Sequence, residues 1–167
     1  HDEVPLVQFS LVIEGGHLLE DLDKAGTANL MANLMNQGTA NKSPEELEEE
    51  IDLLGSSIYI SGGSESVSIN GNTLARNFEK TIDLLKEMLL EPRWDKDEFE
   101  LAKQSTINSF PRNKANPGYM ASRTLSNLKY GKDHVLSVPS QGTEETVPKI
   151  TIDDLQAFYN KNISPSV

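Results

Sequence analysis

Three histidines, at positions 1, 17 and 134, and no cysteine limit the chemistry that this chain supports. His1 is terminal, His17 follows Gly15-Gly16, and His134 lies in a polar loop-like segment. None has a second His or a carboxylate at a metal-ligand spacing on a helix. Thiolate metal sites, disulfides and cysteine catalysis are excluded. No Ser stands in a Gly-x-Ser-x-Gly elbow, and no Gly-rich loop opens onto a helix in a phosphate-binding pattern. Gly62-Gly63-Ser64 reads as turn chemistry between strands, and Asp153/Asp154 as a helix start. One spacing is notable. Asn29 and Asn33 sit at i and i+4 within Gly26–Thr39, where two histidines on one helix face would grip a metal. The spacing is present without the imidazoles.

The elements that position these residues can be read from periodicity. Val4 to Ile13 alternates as a strand. Leu18 to Lys24 is a charged connection. Gly26–Thr39 is an amphipathic helix with Ala28, Met31, Leu34 and Met35 on its buried stripe, and Gly38 supplies the left-handed stop. Ser43-Pro44-Glu45-Glu46 is a capping-box start for a helix with Leu47, Ile51 and Leu54 inward, ended by Gly55. Ser57–Ser61 and Ser64–Asn70 read as two strands of a hairpin. Leu74–Leu90 reads as the longest helix, with Phe78, Ile82, Leu85 and Leu89 inward. Asp95–Phe110 reads as a helix stopped by Pro111, with Phe99, Ala102, Thr106 and Phe110 inward. A further helix runs from Asn116-Pro117 to about Leu128, with Ala121, Leu125 and Leu128 apolar. Residues 132 to 147 are loop-like. Thr151-Ile152-Asp153-Asp154 opens a last helix carrying Leu155, Phe158 and Tyr159. The order predicts an α+β domain, an antiparallel sheet with helices on one side.

Bulk properties set further bounds. The 167 residues suffice for one domain with its own core, and no internal repeat or linker divides them. The formal net charge of −11 argues against nucleic acid as a partner and is accounted for by a solvated acidic surface. The acidic run Glu45–Asp52 reads as the outer face of its helix rather than a cation site. No stretch approaches the ~20 apolar residues of a membrane span. Compartment stays open. His1-Asp2-Glu3 without an initiator Met or signal peptide, and a strand seeming to begin at Ile163–Val167, give the expectation of a piece of a longer protein.

Several blocks, in order, carry a family resemblance: Ile13-Glu14-Gly15-Gly16, Lys24-Ala25-Gly26-Thr27-Ala28, Gly38-Thr39, Leu53-Leu54-Gly55-Ser56, Leu90-Glu91-Pro92-Arg93-Trp94, Tyr130-Gly131-Lys132-Asp133-His134, and Ile150 to Tyr159. Together they resemble the inverzincin metallopeptidases, the group of pitrilysin, insulin-degrading enzyme and mitochondrial processing peptidase. Active members carry His-x-x-Glu-His on the helix that matches Gly26–Thr39, with the histidines on Zn²⁺ and the Glu activating water. Aligned through Gly38-Thr39, those places hold Asn29, Ala32 and Asn33. The family's third ligand, a Glu on a later helix, falls near Asn108 or Ser109, and no acid lies between Leu101 and Asn113.

The resemblance therefore implies a two-layer α+β fold of the mitochondrial processing peptidase type. It implies the first domain of the family's inactive half: a single non-catalytic domain over residues 1–167, without part of its sheet if the chain is cut short. No catalytic, cofactor or metal residue is expected in it. Its role would be to form part of a clamshell chamber around a peptide or unfolded substrate, with zinc and catalytic residues supplied by a homologous domain or subunit. The alternatives are a scaffold subunit without peptidase activity and a module that binds extended peptides on a sheet edge.

Overall fold

A computed structural model of the chain describes residues 5–163. Three antiparallel strands form one sheet in the order β1-β3-β2, with β1 Leu6–Glu14, β2 Ser57–Gly62 and β3 Ser66–Leu74. Val4, expected at the start of β1, and residues 164–167, expected to begin a strand, lie outside the described residues. Leu11 pairs with Ile69, and Ile60 pairs with the same Ile69 from the other side. The hairpin turn is closed by Gly63 N–H donating to the Ser66 carbonyl at 2.8 Å.

Strand alternation sorts the two faces. Ile58, Ile60, Val67 and Ile69 point into the core, and Phe9 and Ile13 pack against it. The opposite face is polar: Ser10 Oγ donates to Asn70 Oδ1 at 2.9 Å, and Asn72 Nδ2 to Ser57 Oγ at 2.8 Å. Hydrophobic-in, polar-out alternation is what one covered sheet face requires.

The covering layer is centred on α1, Thr27–Met35, which buries Leu30, Met31, Leu34 and Met35 completely or nearly so. Around it stand α2 Pro44–Leu53, α3 Phe78–Leu90, α4 Lys96–Lys114, α5 Pro117–Tyr130 and α6 Ile152–Asn162. Both expected capping boxes form: Ser43 with Glu46 opens α2, and Thr151 with Asp154 opens α6. Between β1 and α1 the chain makes two 3-10 turns, His17–Leu19 and Leu22–Lys24. The segment after α5 contains two more, Val135–Ser137 and Val147–Lys149.

Two boundaries and one burial pattern differ from the sequence reading. Strand β3 runs on to Leu74, because Thr73 and Leu74 pair with Val7 and Leu6, so α3 starts only at Phe78. Its buried side is Thr81, Leu84, Leu85 and Met88, a rotation that leaves Phe78 exposed to pack edge-on against Phe9. The longest helix is instead α4, with 19 residues, which continues through Pro111 to Lys114. Proline removes one N–H, but the helix resumes at once, with Ala115 N–H donating to the Pro111 carbonyl at 3.1 Å. The third difference concerns α5, which buries no side chain: Leu125 and Leu128 are exposed.

Candidate functional site

Helix α1 is apolar almost all round, and its half-buried polar positions are asparagines. Gly26 takes the place before the first turn at φ +109°, and a Cβ there would stand 3.0 Å from the Gln141 carbonyl oxygen. Glycine is the residue that accepts this backbone and this approach. Beyond it, Asn33 Nδ2 donates to Asn29 Oδ1 at 3.4 Å, and Asn29 Nδ2 reaches the Gly62 carbonyl at 3.5 Å. One turn further, Asn36 Nδ2 donates to the carbonyls of Ala32 and Ile60, both at 2.8 Å, while its Oδ1 accepts from Ile60 N–H at 2.9 Å. The result is an amide ladder between α1 and the outer edge of β2.

The ladder's chemistry is hydrogen bonding. Neither amide of Asn29 and Asn33 has a basic lone pair comparable with imidazole, and the Asn29 oxygen already accepts from Asn33. Ala32 between them is fully buried and has no group to accept a proton. On α4, Asn108 is exposed, and the half-buried Ser109 turns its hydroxyl onto the Thr106 carbonyl at 2.7 Å. These residues do not fit a catalytic zinc ion: the donor set lacks imidazole, thiolate and carboxylate. Among the described residues, no group of three His, Asp or Glu stands together as a metal cluster.

The histidines are used otherwise. His1 lies outside the described residues. His134 caps the next 3-10 turn, its Nδ1 accepting from Leu136 N–H at 3.2 Å, and its ring stacks on Tyr130. His17 is 1 % exposed and sits between two acceptors, Glu20 Oε2 at 2.7 Å from Nδ1 and the Val135 carbonyl at 2.9 Å from Nε2. A carboxylate and a carbonyl only accept, so holding both bonds requires a proton on each ring nitrogen. Burial pushes the His17 pKa down. The Glu20 carboxylate, joined by the Val135 and Val138 carbonyls, outweighs it, and the net shift is upward.

Glu20 also holds the start of α1. Its Oε2 accepts from Gly26 N–H at 2.9 Å and its Oε1 from Ala28 N–H at 2.5 Å. A carboxylate from the preceding turn thus does what the glycine before α1 cannot do with a side chain. Sequence reasoning missed this group by reading Leu18–Lys24 as a connection. The available signals were the His17-x-x-Glu20 spacing and a helix that opens on glycine without a capping side chain. Asn36 was also missed, read only as part of the helix stop.

The family model described as "Insulinase (Peptidase family M16)" matches residues 1–136. The chain is 24 % identical over 158 residues to a "Non-peptidase homolog YmxG" of Helicobacter pylori, covering 95 % of this chain and 36 % of that protein. It is also 24 % identical over 152 residues to the mitochondrial-processing peptidase subunit beta of Saccharomyces cerevisiae, covering 91 % of this chain and 33 % of that one. A solved structure described as a peptidase M16 inactive domain from Pseudomonas fluorescens superposes with a TM-score of 0.85 at 25 % identity, over 93 % of this chain and 38 % of that chain. The chain thus spans little more than a third of the relatives it matches. With most of its length matched by the family model, the chain belongs to the insulinase family, peptidase family M16.

Proposed function

We propose that this chain is a single non-catalytic domain of a family M16 protein, a wall of a chamber whose zinc and catalytic groups stand on a homologous domain or subunit. The observation that carries this reading is the amide ladder of α1. At the positions that the resemblance matches to the family's zinc ligands and base, Asn29 and Asn33 bond to each other and Ala32 is sealed in the core. The distal ligand of the family is expected near Asn108 or Ser109, an exposed amide and a half-buried hydroxyl. Relatives described as a non-peptidase homolog and an inactive domain support the same reading. So does the intact packing: the helix keeps its buried face while its chemistry is replaced, as expected of a domain retained for shape.

The substrate class implied is an unstructured peptide held by the parent protein. The test uses that parent. Replacing Asn29 and Asn33 together by Ala should change peptide hydrolysis less than about twofold, within the range of surface-like substitutions. Replacing the histidines of the homologous half should abolish it. Loss of hydrolysis on the asparagine change, with the fold intact by circular dichroism, would overturn the proposal. A scaffold role without any peptidase activity is the second reading, favoured by the relative described as a non-peptidase homolog. A parent lacking His-x-x-Glu-His throughout would establish it.

A further inference from the structure

The outer edge of β2 is covered by α1 at Ile60 and Gly62. Successive residues of a strand direct their main-chain groups to alternate sides. Gly63 N–H bonds the Ser66 carbonyl across the hairpin, so Tyr59, Ser61 and Gly63 face β3, while Ile58, Ile60 and Gly62 face outward. At Ile60 both outward groups are taken by one side chain, Asn36, whose amide donates to the carbonyl and accepts from the N–H. An amide used in this way presents the same donor and acceptor that a neighbouring strand would present. At Gly62 the carbonyl receives Asn29, and the helix backbone itself comes close: a Cβ on Gly62 would stand 2.6 Å from the Ala28 carbonyl oxygen. No strand fits between α1 and this end of β2.

The opposite edge differs. The same alternation turns the main-chain groups of Gln8, Ser10 and Val12 outward from β1, and among the described residues nothing bonds to them. The closure of β2 is therefore a local feature built from Asn36 and the approach of α1 at Gly62, not a general property of the sheet.

We infer that Asn36 caps the outward main-chain groups of Ile60 within an edge that α1 itself covers, so the chain does not take extended peptides at this edge. The cap acts whether or not the parent hydrolyses peptides, so its test is independent of the proposal above. The probe is an acetylated and amidated Thr-Val-Thr-Val-Thr-Val peptide, a segment with strong strand preference. In the unaltered chain, the Ile60 amide should exchange with deuterium about as slowly as Ile69 in the sheet centre. Millimolar peptide should leave the amide resonances of Ile58 to Gly62 unmoved. In Asn36→Ala, Ile60 exchange should accelerate at least tenfold with Ile69 unchanged, while α1, still packed against Gly62, keeps the peptide from shifting the β2 resonances. Asn36→Asp, which keeps the acceptor and loses the donor, should leave Ile60 exchange slow.

Fast Ile60 exchange in the unaltered chain would overturn the inference, as would β2 shifts induced there by the peptide. Unchanged Ile60 exchange in a folded Asn36→Ala would overturn it too. The measurements on the unaltered chain stand even if both variants fail to fold.

Discussion

Replacing Glu20 by Ala should be among the most damaging single changes in this chain. The side chain is 1 % exposed and serves three partners: His17 Nδ1, Gly26 N–H and Ala28 N–H. Its removal leaves the His17 ring buried beside the Val135 carbonyl without its counter-charge, and two helix-terminal N–H groups without an acceptor. Breaking a buried ion pair from one side costs about 3–5 kcal/mol, and each orphaned N–H about 1–3 kcal/mol. These losses describe one event and overlap, so about 3–5 kcal/mol is expected for the whole. That is a large part of the roughly 5–15 kcal/mol that stabilises an ordinary domain. With a urea dependence of about 2 kcal/mol per molar, the unfolding midpoint should fall by roughly 1.5–2.5 M. Glu20→Gln keeps one acceptor oxygen and should lose less, about 1.5–3 kcal/mol, the contribution of a charge-assisted bond. Equilibrium urea unfolding followed by circular dichroism measures both. A loss below about 1 kcal/mol for Glu20→Ala, the contribution typical of an exposed pair, would refute the reasoning.

Further outcomes follow from the same geometry. The folded-state pKa of His17 lies above its ordinary value, so its stabilisation is fully present below the unfolded histidine pKa and is lost as pH rises through the raised one. Urea midpoints should therefore decline as pH rises above the ordinary histidine range, and His17→Gln should flatten that part of the curve. Gly26→Ala places a Cβ at φ +109° and 3.0 Å from the Gln141 carbonyl oxygen, and thermal unfolding should show a loss of about 1–2 kcal/mol. Pro111→Ala restores a helix N–H at an exposed position of α4 and should raise stability by about 1–3 kcal/mol in the same assay.

Periodicity and capping chemistry made most of the fold legible. The buried stripe of α1, the two capping boxes and the β2–β3 hairpin follow from local residue types alone. The errors came where tertiary pairing overrode local signals. Leu74 has a helical neighbourhood, but pairing with Leu6 draws it into β3. Pro111 reads as a stop, yet α4 continues because Phe110 is anchored in the core just before it. The leucines of α5 have helical spacing but stand exposed among the described residues, so periodicity alone assigns them a burial they lack.

The contacts of the candidate site were not legible from local chemistry. Asn29 and Asn33 are ordinary polar helix residues until the spacing is set beside the family's zinc motif. What they do bond to depends on how α1 lies along β2, which no local pattern encodes. His17 and Glu20 illustrate the same limit: their spacing is visible, but their third partner, Val135, is 118 residues away from His17.

The central claim is that α1 carries an amide ladder in place of a metal site. Its most direct test is elemental analysis of the purified 167-residue chain after incubation with zinc and gel filtration, alongside an assay with an unstructured peptide. The account predicts no stoichiometric zinc and no cleavage. One zinc ion per chain, lost on replacing Asn29 and Asn33 by Ala and accompanied by hydrolysis, would contradict it.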